Sequence, residues 1–144
     1  MESLHPLIVH FPIALLLTAL CLDIVALAFK RPGLHRVALW NLSLGTLGAA
    51  TAVGTGLLAE RIAKHSFEIW QIMELHERLG ITTLILGLMV TGWRLAHRDQ
   101  LTPRSRVLTL AAMLIMATTL SIGGYLGGRL VYEFGVGGSF GIHP

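Results

Sequence analysis

Four apolar stretches, each long enough to cross a bilayer, constrain this chain more than any other feature. They run approximately over residues 7–29, 37–59, 75–95 and 107–130, and a membrane-crossing helix needs about 20 predominantly apolar residues. Short polar connections separate them. Lys30-Arg31-Pro32-Gly33 follows the first and Thr102-Pro103 precedes the fourth, placing Pro and Gly where helices stop. Only 13% of the residues are charged and 53% are hydrophobic, whereas soluble domains carry about 25% charged residues. A soluble chain of 144 residues has too few charges to cover that much apolar surface. The expected fold is all-α: an integral membrane four-helix bundle forming a single four-span domain over residues 1–144.

Lysine and arginine set the expected orientation. The first and third connections and their flanks hold Lys30, Arg31, Arg36, Arg94, Arg98, Arg104 and Arg106, against Arg61, Lys64, Arg78 and Arg129 on the other side. Six of the eight acids, Glu2, Glu60, Glu68, Glu74, Glu77 and Glu133, share that second side. Both termini are therefore expected on the outer side of a bacterial inner membrane. Ala26-Leu27-Ala28 resembles a cleavage site, but residues 1–10 lack Lys and Arg and Asp23 interrupts the apolar run; the first span reads as a retained helix. Trp40, Trp70 and Trp93 fall near helix ends, as interfacial anchors do. The connection 60–74 is expected either to lie in the interface as an amphipathic helix or to lengthen the third span.

No basic stripe points to nucleic acid, and no Ser/His/Asp set, CxxC pair or HExxH motif supports hydrolase chemistry. A free-standing enzyme is not expected. Cys21 reads as a small buried packing residue, and Met113 and Met116 as core. Asp23 is the one acid deep within a span, with Asn41 at similar depth. It reads as a hydrogen-bonded pin between helices, with a proton-relay step as the alternative. Gly45, Gly48, Ala52 and Gly56, and Gly123, Gly124, Gly127 and Gly128, let helices approach closely, within one bundle or between copies in a homo-oligomer. The glycine-rich tail 135–141 lacks the context of a phosphate loop.

Seven histidines are the informative residues. His5, His10, His65, His76 and His143 fall on the outer side, while His35 and His97 sit among inner-side arginines. His10 and His76 lie at the outer ends of spans, where ionisable groups usually face the bundle interior. His10, Ala14, Leu17 and Cys21 share one helical face, and His76, Gly80, Thr83 and Gly87 share another. The fourth span returns Gly124 and Tyr125 to this depth. Neutral imidazoles bind haem iron, zinc and copper. Three readings stay open: histidines that merely hydrogen-bond neighbouring helices; a b-type haem with axial His10 and His76 in a pocket of Gly80, Gly124 and Tyr125; and a metal site built from His5, His10 and His76.

The opening His5-Pro6-Leu7-Ile8-Val9-His10-Phe11-Pro12-Ile13-Ala14 resembles the signature of a bacterial membrane-protein family, domain of unknown function 2231. Leu75-His76-Glu77-Arg78-Leu79-Gly80 and Gly127-Gly128-Arg129-Leu130-Val131-Tyr132 fit it too. The resemblance implies a four-span membrane protein and a redox setting, because similar domains are fused to cytochrome c modules. Relatives carry His where this chain has Tyr125, so a third ligand would be absent here. The resulting expectation is a small membrane subunit carrying haem b. It would pass electrons between a quinone or membrane partner and an outer-side cytochrome. The competing expectation is a cofactor-free structural or assembly subunit, or a transition-metal-binding membrane protein.

Overall fold

The computed structural model describes residues 5–60 and 67–136. They form α1 (His5–Ile8), α2 (His10–Ala28), α3 (Pro32–Glu60), α4 (Phe67–Ala96) and α5 (Pro103–Tyr132). Helices α2 to α5 are each long and apolar enough to cross a membrane. The expected all-α, four-span architecture is what the chain forms. The expected third span is lengthened, because α4 already starts at Phe67. Residues 61–66, which include Arg61, Lys64 and His65, and residues 137–144, which include His143, lie outside the described residues.

The helices run alternately up and down. Helix α2 packs on α3 and α5, and α4 packs on the same two, closing a four-membered ring. The turns α2–α3 and α4–α5 share one end, here called the hairpin end. Helix α1 and the last turn of α5 mark the opposite, terminal end. Leu16, Leu42, Met113 and Met116 are fully buried at the centre, so both methionines pack the core as expected. Leu44, Leu47, Ile85, Leu88, Met89, Leu114 and Ile115 point outward and are exposed. An outward apolar surface of this kind is stable against lipid and not against water.

Close approach rests on two glycines. A Cβ on Gly45 would stand 2.8 Å from Leu16 Cδ2, and one on Gly87 2.8 Å from Thr46 Oγ1. Hydroxyls then bridge neighbouring helices, Thr46 to Thr91 at 3.3 Å and Thr83 to Thr119 at 2.9 Å. Gly87→Ala must push the β-branched Thr46 aside inside the packed bundle, and overpacking of this sort costs about 1–3 kcal/mol. Thermal unfolding in detergent is expected to show that loss for Gly87→Ala and little change for Gly92→Ala, where an added Cβ meets nothing.

Helix breaks position the ends. Pro12 has no N–H for the Ile8 carbonyl, so the bonding is interrupted at Val9, but Val9 keeps helical backbone angles and α1 continues beside α3. At the hairpin end, Lys30 (φ 52°), Arg98 (φ 50°) and Asp99 (φ 56°) adopt the left-handed region, costing about 1–2 kcal/mol for each non-glycine residue. In return, the Arg31 N–H reaches the Ala26 carbonyl at 2.9 Å and the Asp99 N–H the Arg94 carbonyl at 2.7 Å. Both helices thereby end sharply.

The buried stripe of α2 is Pro12, Leu16, Ala19, Leu20, Asp23 and Ala26. Cys21 is exposed on the outward side, which corrects its assignment as a buried packing residue. Every small apolar-like residue looks buried in a span that is apolar all round, and only the neighbouring helices decide which face turns inward.

Candidate functional site

Two polar clusters interrupt the apolar bundle, one at each end. At the terminal end, α1 carries His5 and α4 carries His76, with ring centroids 6.1 Å apart and planes at 85°. His76 Nδ1 lies 2.8 Å from the Gly123 carbonyl of α5. A carbonyl only accepts, so Nδ1 carries the proton and Nε2 keeps its lone pair in the neutral ring. His5 Nδ1 lies 3.2 Å from Thr55 Oγ1 of α3. The Thr55 hydroxyl donates its proton to the Ala52 carbonyl, so it too accepts from the imidazole. Both rings are thus anchored through Nδ1. Histidines that ligate metals are oriented in this way by a carbonyl or similar acceptor behind them.

Glycines make the seats. A Cβ on Gly127 would stand 2.9 Å from His76 Cε1, and one on Gly56 3.1 Å from His5 Cε1. The imidazoles therefore lie directly on the backbones of α5 and α3. Burial, and after it the neighbouring His76, push the His5 pKa below its ordinary value of 6.5, with a hydrogen bond to the Ala52 backbone opposing the shift. The shift favours the neutral imidazole, the form that binds metal ions.

Of the residues singled out from the sequence, the structure brings His76 and His5 together. The face of His76, Gly80, Thr83 and Gly87 does turn inward. His10 opens α2 with its side chain exposed, and Ala14 and Cys21 on the same face are exposed with it. At 100° per residue, this face lies opposite the buried stripe of α2. A Cβ on Gly80 would meet Val53 at 3.8 Å and one on Gly124 would meet Ile13 at 3.7 Å, both ordinary helix-packing contacts. Tyr125 is 67% exposed. The glycines beside the imidazoles are filled by the imidazoles themselves. Gly80, Gly124 and Tyr125 do not frame a slot for a flat macrocycle, so the residues expected to form a haem pocket do not fit one. Among the described residues, no group of three or more His, Cys, Asp or Glu side chains surrounds a common point.

At the hairpin end, the Asp23 carboxylate accepts hydrogen bonds from Arg94 of α4 and from His35 Nδ1 of α3, the latter at 2.7 Å. Arg94 is completely buried. Its Nε donates to Asp99 Oδ1 at 2.9 Å, and its Nη2 to the His35 carbonyl at 2.9 Å and to Asp99 Oδ2 at 3.1 Å. Arg106 of α5 closes the set on Asp99 at 3.3 Å. All four spanning helices meet in this network. Asp23 is the interhelical pin expected of it. Asn41 instead bonds the Val37 carbonyl of its own helix at 2.9 Å. Sequence reading grouped Arg94 with the flanking cations. The available signal was its position inside the apolar run Leu88–Leu95 rather than beyond it, together with the need of a buried Asp23 for a counter-charge.

Fold and polar clusters define a class: a four-span helical membrane protein, tied by a buried ion network at one end and carrying an imidazole pair at the other. The chain belongs to the DUF2231 family, described as a predicted membrane protein, whose model matches residues 1–139. No curated protein and no solved structure matches it.

Proposed function

We propose that this protein is a transition-metal-binding membrane protein of the bacterial plasma membrane, with His5 and His76 as its protein ligands. The observation that carries the reading is the pair of imidazoles from different helices, with ring centroids 6.1 Å apart and each anchored through Nδ1. Two metal–nitrogen bonds of about 2 Å each, added to the radii of two rings, span a separation like that of the ring centroids. Imidazole donors suit zinc, copper, iron and nickel. Water would complete the coordination. The excess of cations at the hairpin end supports a cytoplasmic position for that end by the positive-inside rule, and with it an outer-side position for the imidazole pair.

The test is metal content and titration of detergent-purified protein with Zn(II) and Cu(II). Wild type is expected to bind one ion per chain, and His5→Ala and His76→Ala are each expected to abolish it while the bundle stays in the membrane. Stoichiometric binding that survives in both variants would overturn the assignment. The haem reading with axial His10 and His76, and with it electron transfer between a quinone and an outer-side cytochrome, is opposed by the exposed side chain of His10 and by the packing of Gly80 and Gly124. Visible spectra of the oxidised and dithionite-reduced protein distinguish it. A Soret band lost in His76→Ala would replace the bare ion with haem iron, and a colourless protein that binds Zn(II) would retain it. A colourless protein without metal affinity would leave a structural or assembly subunit.

A further inference from the structure

The hairpin end and the terminal end handle their cations differently. At the terminal end, each described arginine is matched along its own helix: Arg78 by Glu74 and Arg129 by Glu133. At the hairpin end, two carboxylates, Asp23 and Asp99, face seven cations. The network turns both carboxylates inward, onto Arg94 and Arg106. Their charge is spent inside the bundle. Lys30, Arg31, Arg36, Arg98 and Arg104 are left exposed, and among the described residues none of them is paired with a carboxylate. Every residue of both hairpin turns is among the described residues.

The neighbourhood of these cations is apolar. Phe29, Val37, Val107 and Leu108 are exposed beside the turns, and Trp40 and Trp93 are exposed slightly deeper. A shallow groove lined by Pro103, Arg104, Val107 and Leu108 places a guanidinium at the edge of an aliphatic track. Cations above an apolar wall complement a molecule with a phosphate at one end and hydrocarbon at the other. Nucleic acid or a free anion would use the cations and leave the groove and the tryptophan belt unused.

We propose that the hairpin end binds anionic phospholipid, its phosphate held by Arg104, Arg98 and the cations of the α2–α3 turn, and an acyl chain lying along Val107 and Leu108. The inner network has a second consequence here, because it withdraws the two acids that would otherwise repel such a headgroup.

Tryptophan supplies the probe, because Trp40 and Trp93 flank the hairpin end and Trp70 lies in the first turns of α4 at the terminal end. The full chain, as Trp70→Phe, is reconstituted in phosphatidylcholine vesicles containing brominated phosphatidylglycerol, or the same fraction of brominated phosphatidylcholine. Quenching of Trp40 and Trp93 is expected to favour the anionic lipid, with a relative association constant of about five. Adding salt should shrink the preference. Changing Lys30, Arg31, Arg36, Arg98 and Arg104 together to Gln should abolish it, and Arg104→Gln alone should reduce it while Arg104→Lys retains most. The companion Trp40→Phe/Trp93→Phe protein, reporting from Trp70, should show no preference. Equal quenching by both lipids in the protein reporting from Trp40 and Trp93 would overturn the proposal. So would a preference unchanged by the Gln substitutions, or one erased by inorganic phosphate at constant ionic strength, which would mark a free-anion site. None of these outcomes depends on metal at the opposite end.

Discussion

Arg94→Met is expected to lose about 3–5 kcal/mol of stability, because it leaves the buried Asp23 carboxylate without its arginine, while Asp99 keeps only Arg106. No other single substitution should cost as much. Arg94 is completely buried, and its guanidinium bonds Asp23 of α2, the His35 carbonyl of α3 and Asp99 ahead of α5. Removing the cation therefore releases three helices from the fourth at once. Asp23→Asn is expected to cost less, because Arg94 retains Asp99 and the His35 carbonyl. Combining Asp23→Asn with Arg94→Met should restore part of the loss, with a coupling of about 1–3 kcal/mol between the two sites. The measurement is a double-mutant cycle on unfolding in mild detergent. Strictly additive costs would show that Asp23 and Arg94 do not act on each other.

The second large effect is expected at Gly127. An added methyl there stands 2.9 Å from His76 Cε1 and has the backbone behind it, so the imidazole must leave its seat and its bond to the Gly123 carbonyl. Disturbing the groups that orient a ligating histidine typically costs about 10–100-fold in metal affinity. Gly127→Ala is expected to weaken Zn(II) binding by that amount, read by titration of the purified protein. Gly124→Ala is the matched control on the same helix. Its methyl meets only Ile13 at 3.7 Å, an ordinary contact, and affinity should not change. The reverse pattern, with Gly124→Ala damaging and Gly127→Ala silent, would mean that a bound group occupies the space beside Gly124 and would restore the macrocycle reading.

Much of the architecture was legible in the residues because the bilayer imposes it. Backbone groups in lipid have to be satisfied within the segment, so a long apolar stretch has few options besides a helix. The turns were marked by Lys30-Arg31-Pro32-Gly33 and Thr102-Pro103, and the Thr102 side chain does cap α5 by accepting from the Ser105 N–H. The inward face of α4 was also readable, since Gly80, Thr83 and Gly87 follow His76 at helical spacing. The inward face of α2 was not. Apolar residues surround that helix on every side, and the spacing of His10, Ala14 and Cys21 fits an outward face as well as an inward one. Neighbour contacts, absent from any single-helix pattern, turned Pro12, Leu16 and Asp23 inward.

The same limit explains the histidines. His5 precedes the first apolar stretch, and the sequence offered it only as one of three ligands beside His10 and His76. Val9 keeps helical backbone angles, so α1 continues α2 along α3, and the His5 ring comes to lie against Thr55 and Gly56. The three stretches that carry the family resemblance meet there in three dimensions: His5 from the opening motif, His76 from the second, and Gly127 from the third.

By itself, then, the sequence determined the solvent, the number of spans, their turns and the excess of cations around those turns. These follow from composition and local spacing, which act within one helix at a time. Tertiary structure alone decided which imidazole faces His76, that Arg94 is the buried partner of Asp23, and which glycines seat a side chain rather than a neighbouring helix. Those outcomes depend on how four nearly featureless apolar cylinders rotate against each other. That rotation is set by the few positions, Gly45, Gly87, Asp23 and Arg94, where close approach or a buried charge leaves one arrangement much lower in energy than the rest.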